Sequence, residues 1–214
     1  MQHKIQVNKT AIYHTEGNLK TAKTIWIVLH GYGMLAEFFI RKFIPILNEH
    51  TCIIAPEGLS KFYAKGFDGR VGATWMTKKD RASEIEDYIN YLNQLYNTIR
   101  SENNTKDVKV NVVGFSQGGA TACRWIANGK VTPTNFILWS SAFPDEMKFE
   151  SFEKNVNTYL LYGDNDEFNT NGRINRQEAF LKDSQLHFKL IAFKGGHDIP
   201  NEILKEQTLL NNWQ

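Results

Sequence analysis

The residues with the clearest chemical meaning are Gly114-Phe115-Ser116-Gln117-Gly118-Gly119, which follow the apolar run KVNVVGF and precede the helical ATACRWIA. A serine flanked by glycines between a strand and a helix sits at the apex of a sharp turn, its hydroxyl lifted clear of the sheet at a helix N-terminus. Gly114 and Gly118 suit such a turn because side chains there would collide across it. A hydroxyl is a weak nucleophile at neutral pH, so it needs a base beside it and an acid that orients the base. Candidates for both lie downstream, each just beyond an apolar run. NTYLLYG leads into Asp164-Asn165-Asp166-Glu167, and LHFKLIAF leads into Lys194-Gly195-Gly196-His197-Asp198. His197 is the expected base, since His3 and His14 lie near the N-terminus, His50 ends a helical segment and His187 falls within the last strand. Of the two acids, Asp166 is expected to reach His197 and Asp164 to serve the turn, because the first carboxylate after a strand is often taken up by loop amides. Asp198 adjoins the base and would have to bend back onto the same ring.

Acyl transfer also needs backbone N–H groups aimed at a developing oxyanion. The residue after the serine, Gln117, supplies one. The second is expected from Tyr32 in IWIVL-His30-Gly31-Tyr32-Gly33, where Gly31 and Gly33 let the backbone approach a substrate.

The elements that must position these loops alternate along the chain. Strands are expected at Lys4–Asn8, Thr24–His30, Thr51–Ala55, Val108–Phe115, Asn135–Ser140, Asn157–Tyr162 and Leu186–Phe193. Helices are expected at Met34–Asn48, Lys79–Glu102, Ser116–Gly129, Arg173–Asp183 and Asn201–Asn212. Near-continuous apolar runs such as IWIVL and FILWS suit strands covered on both faces of a mostly parallel sheet. In the second helix Ile85, Tyr88, Ile89, Leu92, Leu95, Tyr96 and Ile99 form one stripe at helical spacing. The implied fold is an α/β three-layer α/β/α sandwich, with active residues at the carboxyl ends of the strands. No linker or repeat divides residues 1–214, so one domain without a separate lid domain is expected.

Composition narrows the class without naming the chemistry. The 214 residues are 42% hydrophobic and 22% charged, as in an ordinary globular chain, and the formal net charge of +2 gives no basic footprint for nucleic acid. Cys52 and Cys123 sit in apolar contexts, too few for a disulfide framework and without zinc-site spacing. MQHKIQVNKT lacks the apolar core of a signal peptide, and no run approaches a membrane span. A reduced, cytoplasmic protein without stable membrane insertion is the expectation, either a monomer or a homodimer.

LHGYG, APEG, GFSQGGA, the YGDND acid loop and the GGHDIP histidine loop together resemble the phospholipase/carboxylesterase family, over nearly the whole chain from Thr24 to Gln214. The order serine, acid, histidine is that of the α/β-hydrolase fold. The resemblance implies a triad of Ser116, Asp166 and His197, oxyanion donors at Tyr32 and Gln117, and no metal or cofactor. It also implies a small-molecule ester or thioester substrate. The chain departs from the family pattern at Tyr32-Gly33-Met34, at Glu167-Phe168 in place of Pro-Val, and at Trp139-Ser140-Ser141 in place of Leu-Ser-Gly. These changes touch the pocket and leave the triad intact.

The stretch Leu59–Arg81 is aromatic-rich, punctuated by glycine and without sustained period, and it should border the site. Phe62, Tyr63, Trp75 and Met76 are candidate pocket walls, although the same aromatics would equally serve to plug the segment against the body. Its lysines and arginines suit a solvated face better than an anionic headgroup. Gly31, Tyr32, Phe168 and Ile199 neighbour the catalytic loops and would narrow the cleft. The expected activity is cleavage of carboxylic esters of short to medium acyl chain through an acyl-enzyme. Thioesterase, lysophospholipase or acyltransferase action would use the same machinery, and a non-catalytic ligand receptor on this fold is the alternative of another class.

Overall fold

A computed structural model of the chain describes residues 1–128, 130–147, 156–168, 171–183 and 186–214. In chain order the elements are β1 (Tyr13–Glu16), β2 (Thr24–Leu29), α1 (Ala36–Phe39), a 3-10 stretch over Ile40–Ile46, β3 (Thr51–Pro56), β4 (Ser60–Lys65), β5 (Asp68–Thr74), α2 (Arg81–Glu102), β6 (Lys109–Phe115), α3 (Gln117–Ala127), β7 (Asn135–Trp139), β8 (Asn157–Gly163), α4 (Asn171–Asp183), β9 (Phe188–Phe193) and α5 (Asn201–Leu210). Seven strands form one sheet in the order β1-β3-β2-β6-β7-β8-β9. All its pairings are parallel except β1 against β3.

The three layers follow from side-chain alternation along the strands. In β2, Ile25, Ile27 and Leu29 pack with Tyr88, Leu92, Leu95 and Ile99 of α2 and with Cys123, Trp125 and Ile126 of α3. Trp26 and Val28 point the other way, onto Phe39, Phe43, Leu204 and Trp213. Fully burying one such side chain contributes about 1.5–3 kcal/mol. An α/β-hydrolase-like, mostly parallel sheet with helices on both faces is therefore the architecture.

The strand order sets where ligands can bind. From β2 the chain steps outward to β3, then returns to place β6 on the other side of β2. Loops leaving β2 and β6 diverge at this switch and leave a crevice at the carboxyl edge. At the opposite edge Asn111, Asn135 and Asn157 stand in register on three adjacent strands. Asn135 Nδ2 donates to Asn111 Oδ1 (2.8 Å) and Asn157 Nδ2 to Asn135 Oδ1 (3.2 Å), while Asn111 Nδ2 donates to the Trp213 carbonyl (2.5 Å). This amide ladder ties the end of the chain beneath the sheet.

Several local expectations are corrected. Lys4–Asn8 forms no strand: Ile5 and Val7 are 87% and 77% exposed because the arm meets no apolar surface. The edge strand is instead Tyr13–Glu16, half-exposed and only four residues long. The expected helix over Met34–Asn48 is one turn of α-helix followed by 3-10 geometry, with Pro45 removing a donor inside it. The third expected helix ends at Ala127, and Gly129 lies outside the described residues. The segment expected to lack period contains the β4–β5 hairpin, most of whose residues up to Arg70 are exposed, so neither face carries an apolar pattern. Among the described residues no helix is long and apolar enough to cross a membrane.

Candidate active site

Ser116 stands between β6 and α3 with φ 52° and ψ −118°, a conformation that a residue with a Cβ adopts only under constraint. The glycines around it permit the turn. A Cβ on Gly114 would lie 2.4 Å from the Gly119 Cα, and one on Gly118 would lie 2.2 Å from the Leu29 carbonyl oxygen. The Ser116 N–H donates to the Trp139 carbonyl (3.1 Å), and its own carbonyl accepts from the Gly119 N–H (3.0 Å) and the Ser141 hydroxyl (2.7 Å). The strained apex is thus held from both sides by β7 and its exit.

The loop after β2 lies directly against this apex. A Cβ built on Gly31 would sit 3.2 Å from the Ser116 Cβ. That loop is anchored from below by His30, whose ring is fully buried. Its Nε2 accepts the Gly58 N–H (2.9 Å), so the proton resides on Nδ1, which donates to the Gly31 carbonyl (2.8 Å). Burial pushes the His30 ring's proton affinity down, against the pull of that hydrogen bond and of Glu57, and it remains neutral. Among the described residues nothing accepts a hydrogen bond from the Tyr32 or Gln117 N–H, although the N–H groups of Gly33 and Met34 are both engaged.

Beyond β8 and β9 two loops are zipped together. The Asn165 N–H donates to the Gly195 carbonyl (2.9 Å), and the Gly195 N–H donates to Asp164 Oδ1 (3.1 Å). Lys194 Nζ lies 3.0 Å from Asp164 Oδ2. Asp164 is a loop anchor, its carboxyl held low first by the Gly195 N–H and then by Lys194. Asp166 is buried, and His197 Nδ1 lies 3.0 and 2.9 Å from its two oxygens. Burial works to raise the Asp166 carboxyl, but hydrogen bonding from His197, the nearby Ser140 hydroxyl and the Phe168 N–H (3.0 Å) outweighs it and keeps it below the ordinary carboxylate value. The Ser140 hydroxyl is buried and makes no hydrogen bond of full geometry, yet it sits close enough to favour the charged acid. Ser140 also carries a positive φ of 47°. The imidazole of His197 packs 4.9 Å from the Phe115 ring, the residue just before Ser116, and Phe168 meets it edge-on at 4.7 Å.

The expected pocket residues separate into two groups. Gly31 lies against Ser116 and Phe168 against His197, while Tyr32 stacks on Phe62 at 5.0 Å, and Tyr32 and Phe168 are exposed. Trp75 and Ile199, expected as walls, are core residues instead. Trp75 is 1% exposed with its indole N–H on the His30 carbonyl (2.8 Å), and Ile199 packs under the sheet with Phe193 and Leu204. Met76 turns inward onto the core, its sulfur 3.9 Å from Arg124. Tyr63 follows Phe62 on β4 and so faces the other side of the hairpin, exposed to solvent. Sequence reasoning missed Ser141, Thr74 and Lys42 as supports of the site. Lys42 pairs with Asp198 at 2.5 Å, and the Asp198 carbonyl accepts the Trp139 indole N–H (2.9 Å), fixing the histidine loop from two elements. The serine pair at a strand's carboxyl end was the available signal.

Similar folds are common among solved structures. The carboxylesterase of Bacillus cereus is 13% identical, with 97% of this chain and 96% of that chain covered and a TM-score of 0.71. Acyl-protein thioesterase 2 of Zea mays is 18% identical over 96% of this chain and 100% of that one, TM-score 0.71. A phospholipase/carboxylesterase of Dyadobacter fermentans is 16% identical over 97% of each chain, TM-score 0.67. At such identities the likeness speaks for the fold alone. No curated protein matches the sequence. The Phospholipase/Carboxylesterase family model, however, matches residues 11–211, which takes in the Gly31 loop, the Ser116 turn and both loops that meet at His197. By that match the chain belongs to the phospholipase/carboxylesterase family and is an ester hydrolase.

Proposed function

We propose that Ser116, His197 and Asp166 form a catalytic triad that cleaves carboxylic esters of short to medium acyl chain through an acyl-enzyme. Most support comes from one observation: His197 presents Nδ1 to the buried Asp166 carboxylate while its ring lies over Phe115, next to the strained serine. With Nδ1–H donated to the carboxylate, Nε2 is the atom left to accept the Ser116 proton. As that proton leaves, Oγ bonds to the ester carbonyl carbon and the carbonyl oxygen becomes an oxyanion. The Tyr32 and Gln117 N–H groups are the donors for it. Asp166, charged at neutral pH, stabilises the imidazolium. Collapse of the tetrahedral species breaks the ester C–O bond, and His197 passes its proton to the departing alcohol. A water then loses a proton to Nε2 and attacks the acyl carbon; as that second tetrahedral species collapses, the bond from the acyl carbon to Ser116 Oγ breaks, Nε2 returns its proton to Oγ and the acid leaves.

A thioester presents the same carbonyl, so specificity depends on the crevice mouth formed by Tyr32, Phe62 and Phe168. The test is labelling and turnover. Wild type is expected to take up a fluorophosphonate probe at one serine and to hydrolyse a p-nitrophenyl ester, and Ser116→Ala to do neither. An unlabelled, inactive wild type would remove the catalytic reading. A series of p-nitrophenyl esters of rising chain length, with an acyl-CoA and a lysophospholipid alongside, ranks the acyl groups and tests the preference for short and medium chains.

A further inference from the structure

The two N–H groups assigned to the oxyanion belong to different loops, and nothing in the sheet itself fixes the distance between them. Strand pairing between β2 and β6 ends at Leu29 opposite Gly114, while Tyr32 and Gln117 both lie beyond it. What does connect them is a third piece of chain, the end of β5 and its exit, residues 73–76. On one side this piece grips the Tyr32 loop. The Gly33 N–H donates to the Ala73 carbonyl (2.8 Å), the Ala73 N–H donates to the Met34 carbonyl (3.1 Å), and the Trp75 indole N–H donates to the His30 carbonyl (2.8 Å). The approach is close enough that a Cβ on Gly72 would lie 2.7 Å from the Gly33 carbonyl oxygen.

On its other side the same piece grips Gln117 by the side chain. Gln117 Oε1 accepts from Thr74 Oγ1 (3.0 Å) and from the Trp75 N–H (3.2 Å), and Gln117 Nε2 donates to the Met76 carbonyl (2.8 Å). A glutamine in the first turn of a helix ordinarily extends into water. Here both ends of its carboxamide are committed to three consecutive residues, Thr74 at the end of β5 and Trp75 and Met76 at its exit, in a piece of chain that also holds the loop of the other donor. Thr74 and Trp75 are 3% and 1% exposed, so these bonds are shielded from competing water.

We propose that residues 73–76 act as a splint that sets the spacing of the Tyr32 and Gln117 N–H groups, with the Gln117 carboxamide and the Thr74 hydroxyl as its positioning groups. This rests on the triad and oxyanion reading above. It adds that the hairpin, beyond bordering the crevice, calibrates the oxyanion site. Donors stabilise an oxyanion only when close and aligned, and a displacement of about 1 Å can lower a rate by about 10². Loosening the splint therefore weakens binding of the tetrahedral species and leaves ground-state binding at the aromatic mouth unchanged.

The experiment compares Thr74→Val, Gln117→Met, their double variant and Gln117→Glu, with Asn135→Ala as a control in the amide ladder far from the crevice. Each is measured for kcat and KM on a short p-nitrophenyl ester, for inhibition by an aryl boronic acid that forms a tetrahedral adduct on serine, and for thermal midpoint. Thr74→Val is expected to lower kcat about tenfold and Gln117→Met about 30- to 100-fold, no more than the lower end of the roughly 10²- to 10³-fold cost of losing one oxyanion donor outright. KM should stay within about twofold, and the boronate Ki should rise in proportion to the fall in kcat/KM. The double variant should be no worse than Gln117→Met, because both break one network. Gln117→Glu keeps the two accepted bonds and should recover part of the loss. Asn135→Ala should lose stability and keep kcat. The splint is overturned if Thr74→Val and Gln117→Met keep kcat within twofold, or if their losses fall on KM with the boronate Ki unchanged. A wild type that neither labels nor turns over would bring down the catalytic reading, and the splint with it.

Discussion

Replacing Asp166 by asparagine tests the proposed triad at its most specific joint. Asp166 Oδ1 accepts the Phe168 N–H at 3.0 Å, and both carboxylate oxygens face His197 Nδ1. An asparagine can present only one oxygen. If that oxygen keeps the Phe168 N–H, the amide nitrogen faces Nδ1 and donates to it, which moves the imidazole proton to Nε2. The base is then blocked on the side where it must accept the Ser116 proton. Loss of the correct tautomer costs about 10⁴ in kcat, equivalent to about 5.4 kcal/mol of activation free energy. Asp164, two residues earlier, provides an internal control. Asparagine there can still accept the Gly195 N–H, and only the solvent-facing pair with Lys194 is lost. Its expected effect on kcat is less than about threefold, in keeping with the small value of exposed ion pairs. Both variants are assayed with a p-nitrophenyl ester under saturating conditions, with thermal midpoints recorded. A loss in Asp164→Asn equal to that in Asp166→Asn, or a loss below tenfold in Asp166→Asn, would refute the assignment of the acid.

Two further outcomes follow from the fold's supports. Asn135→Ala leaves the buried Asn111 Oδ1 without its partner, which should cost about 2 kcal/mol and lower the thermal midpoint by roughly 4–8 °C; a shift below about 1 °C would show the ladder to be inert. Burial works to raise the Glu146 carboxyl, but the Arg124 guanidinium, its own N–H and Arg81 hold it down at about 2. A folded value below the unfolded one contributes stability that is present above the ordinary carboxylate value and lost as pH falls toward about 2. Glu146 is half-exposed, so solvent screening leaves about 1 kcal/mol of that. Urea titrations between neutral pH and pH 3 should show wild type losing its advantage over Glu146→Gln as acidity rises, and a gap that stays constant with pH would count against it.

The strands that can be read from sequence are those whose burial is two-sided. TIWIVL, KVNVVGF and NFILW are apolar nearly throughout because helices cover both faces, and their ends fix where the catalytic loops start. What could not be read is structure held by backbone pairing alone. Tyr13–Glu16 is only four residues long and the β4–β5 hairpin is mostly exposed on both faces up to Arg70, so neither carries a sustained apolar period, and only partner strands reveal them. Lys4–Asn8 shows the converse, an alternating pattern with no surface to cover. The pocket expectations that the structure corrects went astray for a related reason. Trp75 and Ile199 stand beside catalytic loops in the chain, but side-chain direction depends on strand and loop geometry that proximity in sequence does not encode. The loops carrying Ser116, Asp166 and His197 were legible because each starts where an apolar run stops.

Function and stability also divide between the two edges of the sheet. At the carboxyl edge Ser116 and Ser140 hold positive φ values of 52° and 47°, at a cost of about 1–3 kcal/mol each. They persist because neighbours over-determine them: the Ser116 N–H is bound by β7, the Ser140 N–H by the Leu161 carbonyl of β8 (2.8 Å), and the Ser116 carbonyl by Ser141. At the amino edge the asparagine ladder with Trp213 closes the core, and the one positive φ beside it, 51° at Asn212, falls on a residue type that tolerates it. The residues that depart from the family pattern, Tyr32, Ser141 and Phe168, all lie at the carboxyl edge. In the proposed reading, changes there retune the crevice while the opposite edge keeps the fold.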